Sequence, residues 1–156
     1  MILSVSRRTD IPAFYEVVLN RLKAGFVYVK KSYESPLVSR IDLAPEVNGL
    51  YCLFGQNPEP MLKYLDEFSG YPFYFPIYAD GLWYGYRAWL GRPKGTLLSV
   101  FASLAQKNRE ERVIWRYDPI ILRQNMQEAY HLYEFEKIAK ALYGYTDKCV
   151  ISFVDM

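Results

Sequence analysis

Arg112-Val113-Ile114-Trp115-Arg116 is a short run rich in β-branched and aromatic residues, and the polar stretch Tyr117-Asp118-Pro119 follows it at once. The run has no helical period, and such side chains favour extended backbone, so the sequence predicts a strand over 112–116 that ends in a loop. Comparable runs recur along the chain and give six candidate strands: 2–5, 26–30, 50–54, 73–78, 112–116 and 149–154. Several are apolar throughout, which is typical of strands covered on both faces.

Segments with apolar residues at helical spacing separate these strands. Their members are Phe14, Val17, Val18 and Leu22; Met61, Leu62, Leu65 and Phe68; Leu97, Leu98, Phe101, Leu104 and Ala105; and Leu132, Phe135, Ala139 and Leu142. Gly25 and Gly144 follow the first and the last stripe, as expected of residues that end helices. Alternation of strands and helices favours parallel βαβ units. The sequence therefore predicts an α/β fold with a mainly parallel sheet of five or six strands.

The length of the chain limits how far that sheet closes. A closed eight-stranded α/β barrel takes about 250 residues, whereas this chain has 156. We therefore expect a single α/β domain over 1–156, either an open sheet or a partial, TIM-like barrel. The last strand would leave an exposed edge, so we expect a homodimer through that strand or coverage by the aromatic, Gly-rich excursion over 80–94. The polar stretch 32–46 is expected to hold a short extra strand over 38–41.

Composition excludes several classes of function. Nineteen Lys and Arg against seventeen Asp and Glu give a net charge of +2, so a nucleic-acid partner is not expected. No apolar run approaches the roughly 18 residues of a membrane span, and the start does not read as a signal peptide, so a cytoplasmic location is expected. Two cysteines, Cys52 and Cys149, and one histidine leave this chain without an iron–sulfur or His/Cys zinc ligand set of its own.

Polar residues gather where the predicted strands end, which is where parallel α/β folds bind ligands. Guanidinium groups at such ends can clamp a phosphate or a carboxylate. The candidate ligand-binding residues are Arg7, Arg8, Asn57, Arg116 and Tyr117. Asp118 and Asp10 are the candidate catalytic acid/base groups. A small anionic ligand is the expected partner, and no metal is expected.

Each candidate also has a purely structural interpretation. Asp10 and Asn57 have the residue type and position of helix caps. Arg116 and Asp118 lie two residues apart on one face of a strand, where they can simply pair. His131 is expected at the surface or as a cap rather than as a base.

Three long stretches, 4–15, 111–120 and 144–155, closely resemble a bacterial domain-of-unknown-function family, number eighteen-forty-eight. The first reads Ser-Arg-Arg-Thr-Asp-Ile-Pro-Ala-Phe-Tyr over 6–15. The resemblance spans nearly the whole chain and implies an α/β barrel in relatives of nearly twice this length, to whose N-terminal part this chain corresponds. In those longer members a C-terminal C-x3-C-x2-C cluster implies an iron–sulfur cluster and S-adenosylmethionine, neither of which is expected in this chain.

The sequence departs from the family where 54–58 reads Phe-Gly-Gln-Asn-Pro instead of Trp-Thr-Lys/Arg-Asn-Pro, and again over 78–94. Three hypotheses stay open. The chain is a family domain with an anion- or nucleotide-sized pocket that is not catalytic alone. Alternatively, it is a metal-independent acid/base enzyme that uses Asp118 or Asp10, or it is a self-associating structural or interaction domain.

Overall fold

Seven strands and three α-helices make up the described part of the chain. The computed structural model describes residues 2–5, 14–30, 36–53, 58–79 and 94–154. In chain order the elements are β1 (Ile2–Val5), α1 (Tyr15–Ala24), β2 (Phe26–Lys30), β3 (Val38–Asp42), β4 (Leu50–Leu53), β5 (Phe73–Tyr78), α2 (Lys94–Asn108), β6 (Val113–Ile120), α3 (Glu128–Leu142) and β7 (Cys149–Phe153). Short 3-10 turns lie at Glu59–Met61, Leu65–Phe68 and Glu110–Arg112.

The main sheet has five strands in the order β1-β4-β5-β6-β7. Every neighbouring pair in it is parallel, and the sheet curls into a half-barrel. The predicted α/β class with a mainly parallel sheet and a partial barrel is therefore confirmed. None of the helices in the described ranges has the length and apolar character needed to cross a membrane.

One face of the half-barrel packs against the helices and forms the core. Successive side chains of a strand point to opposite faces, so alternate residues share this side. From β5 and β6 the core receives Phe73, Phe75, Ile77, Val113, Trp115 and Tyr117, all of them buried. Phe101 and Leu104 of α2 and Leu142 of α3 cover them. The ring of Trp115 stacks on Phe135 of α3 with 4.7 Å between centroids.

The strand 26–30 does not join the main sheet. It pairs with β3 in a separate antiparallel ribbon, from Phe26 opposite Asp42 to Lys30 opposite Val38. The ribbon is largely exposed, and the guanidinium of Arg40 lies 4.5 Å from the centroid of the Phe26 ring. The extra strand predicted over 38–41 is confirmed as one half of this ribbon.

The helix predicted around Met61 and Phe68 is wrong. Two 3-10 turns, Glu59–Met61 and Leu65–Phe68, occupy that stretch instead. Pro58 and Pro60 lack the N–H groups that a continuous α-helix would use, which favours shorter turns. Met61, Leu65 and Phe68 still reach the core. Leu65 and Phe68 do so from one turn, because residues three apart lie on the same side of a 3-10 helix.

Candidate functional site

The other face of the sheet, which we call the concave face, carries polar side chains. Its polar members are alternate residues from all five strands: Ser4, Cys52, Tyr74, Tyr78, Arg116, Asp118 and Ser152. The apolar residues Pro76, Ile114 and Val150 share this face. The strand register aligns Ser4 with Cys52, Cys52 with Tyr74, and Tyr78 with Arg116. Most of these side chains are partly buried, so the face is a polar surface next to a dry core rather than a second core.

Arg116, Asp118 and Ser152 form one hydrogen-bonded cluster on β6 and β7. A terminal nitrogen of Arg116, Nη2, forms an ion pair with Oδ2 of Asp118. The hydroxyl of Ser152 donates to the other carboxylate oxygen, Oδ1. Both oxygens of Asp118 are therefore engaged, and the carboxylate is suited to hold the guanidinium in a fixed orientation. The predicted pairing of Arg116 with Asp118 is confirmed, whereas the role of Asp118 as an acid/base group stays a prediction.

Tyr78 fixes the guanidinium from the neighbouring strand. Cζ of Arg116 lies 5.1 Å from the centroid of the Tyr78 ring, which is within the range of a cation–π interaction. Tyr78 is the last residue of β5, so this contact lies at the carboxyl end of that strand. The Arg116 side chain is 26% exposed and the Asp118 side chain 12%. The cationic partner is thus the more accessible of the two.

Ser4, Cys52 and Tyr74 form a second cluster, on β1, β4 and β5. Cys52 is only 4% exposed. Burial raises the pKa of its thiol, and hydrogen bonds with Tyr74 and Ser4 and the charge on Arg116 lower it by smaller amounts. Burial, together with the hydrogen bond to Cys52, raises the pKa of Tyr74 to about 12. Both groups therefore keep their protons at neutral pH.

Tyr117, a predicted ligand-binding residue, lies on the opposite face. It is 1% exposed, and its hydroxyl is 3.0 Å from Nδ1 of His131. Nε2 of His131 is in turn 3.0 Å from the carbonyl oxygen of Ile121. His131, which was expected at the surface, is buried because α3 turns it towards β6. The structure thus brings Arg116 and Asp118 together and places Tyr117 away from them.

The other predicted site residues, Arg7, Arg8, Asp10 and Asn57, lie outside the described residues. Helix α1 begins at Tyr15 with Phe14 in the N-cap position, where the Phe14 side chain makes no capping hydrogen bond. Sequence reasoning missed Ser152. The sequence does carry a signal for it, since Ser152 is the one hydroxyl residue in the apolar run Cys149–Phe153. Alternation along the strand puts Ser152 on the face opposite Ile151 and Phe153.

The residues present do not fit an iron–sulfur cluster. Cys52 is buried on the concave face of β4, and Cys149 is exposed on β7 with the opposite alternation. Within the described ranges, His, Cys, Asp and Glu side chains do not gather in a group of three or more that could hold a metal ion. We therefore derive no chemistry through such a group.

Fold and site together define an α/β half-barrel domain with a helix-covered face and a polar concave face. The family model described as Domain of unknown function (DUF1848) matches residues 2–156. The chain therefore belongs to that family, as its sequence predicts. No curated protein and no solved structure matches the chain.

Proposed function

We propose that this domain binds a small anionic ligand, a phosphate or carboxylate group, through Arg116 on the concave face. The observation that carries the proposal is the fixed yet accessible guanidinium. It pairs with Asp118, lies beside the Tyr78 ring, and is 26% exposed. A guanidinium that is oriented in advance loses little conformational freedom when it binds an oxyanion. Its place beside the carboxyl end of β5 agrees with where parallel α/β folds bind ligands.

Asp118 has a defined role in this proposal. Its carboxylate partly neutralises Arg116, so the ligand must exchange with or add to an existing ion pair. Ser152 donates to Asp118 and so supports the carboxylate while a ligand approaches the guanidinium. A modest affinity for bare phosphate is expected, because phosphate competes with the Asp118 carboxylate for the Arg116 guanidinium. The net charge of +2 adds little long-range attraction, which favours a small ligand over a polyanion such as nucleic acid.

A thermal-shift panel tests the proposal. Purified protein is heated with inorganic phosphate, citrate, a nucleotide, S-adenosylmethionine or a short oligonucleotide. A ligand at 100 times its dissociation constant adds about 2.7 kcal/mol to native-state stability, which is readily seen. The shift with phosphate should be lost in Arg116→Gln and kept in Arg112→Gln, a matched control. Arg112 lies just before β6, with its guanidinium 5.9 Å from the centroid of the Phe73 ring.

Removing Arg116 leaves Asp118 as a buried carboxylate with less compensation, which by itself is destabilising. The double variant Arg116→Gln/Asp118→Asn removes both charges and serves as the second test protein. Cooperative unfolding of this variant without ligand, combined with no phosphate shift, supports the proposal. An unchanged phosphate shift in both the single and the double variant contradicts it.

A second candidate is self-association through β7. This strand pairs only with β6 in the described sheet, and its residues Ile151 and Phe153 are 52% and 67% exposed. A strand edge with exposed apolar side chains readily pairs with another chain, here a second copy. Phe153→Lys should lower the mass in solution from dimer to monomer, measured by light scattering. Leu132→Lys is the control, because Leu132 lies on the outer side of α3 and is 71% exposed. A wild-type protein that is monomeric at all concentrations contradicts this candidate.

A further inference from the structure

Three apolar residues border Arg116 on the concave face: Pro76, Ile114 and Val150, which we call the apolar block. Val150 of β7 is the register partner of Arg116. Ile114 lies two residues before Arg116 on β6, so both share one face of the strand. Pro76 of β5 is the register partner of Ile114. The apolar block and Arg116 therefore occupy neighbouring positions on three adjacent strands.

The apolar block is open to solvent where it adjoins Arg116. Val150 is 42% exposed and Ile114 is partly exposed, whereas Pro76 is buried. The Arg116 side chain itself is 26% exposed. A ligand that contacts the guanidinium can thus also cover Ile114 and Val150. Covering them removes apolar surface from water, which is favourable.

The positive charge beside the apolar block is small. Arg116 is the only Lys or Arg residue in the five strands of the described sheet. Its guanidinium already forms an ion pair with Asp118. A single guanidinium whose charge is partly neutralised suits a ligand with one negative charge better than one with two. A carboxylate carries one charge, and its two oxygens match the geometry of a guanidinium.

The register also sets where the rest of such a ligand lies. Tyr78, Arg116 and Val150 form one row across β5, β6 and β7, so an aromatic and an aliphatic side chain flank the guanidinium. Ile114 lies next to this row, and two residues of a parallel strand span about 6.6 Å. A hydrocarbon tail of roughly four to six carbon atoms covers that distance.

We infer that the concave face binds a short aliphatic monocarboxylate, with its carboxylate at Arg116 and its hydrocarbon tail over Ile114 and Val150. This inference rests on the proposed function, since it takes Arg116 as the anion-binding group. It adds the class of the ligand and the residues that distinguish this ligand from a bare anion.

Titration with acetate, butyrate and hexanoate at neutral pH and constant ionic strength tests the inference, with dissociation constants taken from proton–nitrogen NMR spectra. Full burial of a methylene group contributes about 0.8 kcal/mol, or about fourfold in affinity. On an open face we expect roughly twofold per methylene group. Hexanoate has four more of these groups than acetate, so it should bind at least about tenfold more tightly.

Two variants of the apolar block should reduce the ratio of hexanoate to acetate affinity and leave the acetate dissociation constant unchanged. Val150→Thr replaces a methyl group by a hydroxyl and should reduce the ratio by roughly two- to fivefold. Ile114→Val removes a methylene group and should reduce it by roughly two- to fourfold. Val38→Thr, on β3 of the ribbon and 55% exposed, is the matched control and should change neither value.

The outcomes separate this inference from the proposed function. If acetate and phosphate bind through Arg116 but hexanoate binds no more tightly than acetate, the inference is wrong and the proposed function stands. A hexanoate gain that persists in full in both Val150→Thr and Ile114→Val also overturns the inference. If Arg116→Gln/Asp118→Asn binds hexanoate and phosphate as tightly as wild type does, Arg116 holds neither anion and both are wrong. No binding of phosphate or of any carboxylate contradicts both.

Discussion

Removing the Tyr117 hydroxyl tests which face of β6 this side chain occupies. The hydroxyl contacts Nδ1 of His131 at 3.0 Å and the carbonyl oxygen of the same residue at 3.3 Å. Tyr117→Phe deletes both contacts and leaves Nδ1 buried without its partner. A buried polar group that loses its partner costs about 1–3 kcal/mol, and we expect about 2 kcal/mol here. In a chain of this size that lowers the melting temperature by roughly 4–8 °C.

Urea denaturation followed by circular dichroism measures this loss, with an unchanged m-value showing that the native structure is retained. Tyr133→Phe is the control, because Tyr133 lies on α3 with His131 but is 62% exposed. It should stay within about 0.5 kcal/mol of wild type. Phosphate affinity should be unchanged in Tyr117→Phe. A Tyr117→Phe protein as stable as wild type, or one that loses phosphate binding at full stability, would refute the assignment of Tyr117 to the core.

Three further changes test the fold and the concave face. Gly25→Ala should lower the free energy of unfolding, measured by urea denaturation, by about 1 kcal/mol. Gly25 ends α1 with φ +79°, and its N–H donates to the carbonyls of Arg21 and Leu22. An unchanged free energy of unfolding would argue against this conformation. Arg109→Gly should stabilise the protein by up to about 1 kcal/mol, since a non-glycine residue at φ 70° and ψ 142° stores strain. A loss of stability in this variant would contradict the strained conformation of Arg109. Between pH 10 and 12 wild type should lose more stability than Tyr74→Phe. The reason is that the Tyr74 phenol ionises near pH 10 in the unfolded chain and near pH 12 in the folded protein. Parallel curves of stability against pH for the two proteins would count against a buried phenol.

The positions of most strands could be predicted because their residues have strong extended preferences. The runs 2–5, 26–30 and 73–78 match β1, β2 and β5 in their bounds. Strand partners were harder to predict, since Phe26-Val27-Tyr28-Val29-Lys30 has the composition of a buried strand. What removes it from the main sheet is a nearby partner, β3, with which it forms a local antiparallel ribbon.

The separation of Tyr117 from Arg116 and Asp118 has a single cause. The sequence predicts the end of the strand at Arg116, because Asp118 and Pro119 read as a loop, whereas β6 continues to Ile120. Once the strand continues, alternation turns Tyr117 towards α3 and leaves Arg116 and Asp118 together on the concave face. The contact of Ser152 with Asp118 depends on how β7 aligns with β6, where the register shifts between Tyr117 and Ile120. Composition and spacing carry no information on that alignment.

The arginine side-chain signals in a proton–nitrogen correlation spectrum test the central claim most directly. The Nε–Hε signal of Arg116 is identified by its absence in Arg116→Lys, and that of Arg112 by its absence in Arg112→Lys. During titration with inorganic phosphate at constant ionic strength, the Arg116 signal should move progressively and saturate while the Arg112 signal stays in place. If both signals move equally, or if only Arg112 responds, Arg116 is not the anion-binding group of this half-barrel.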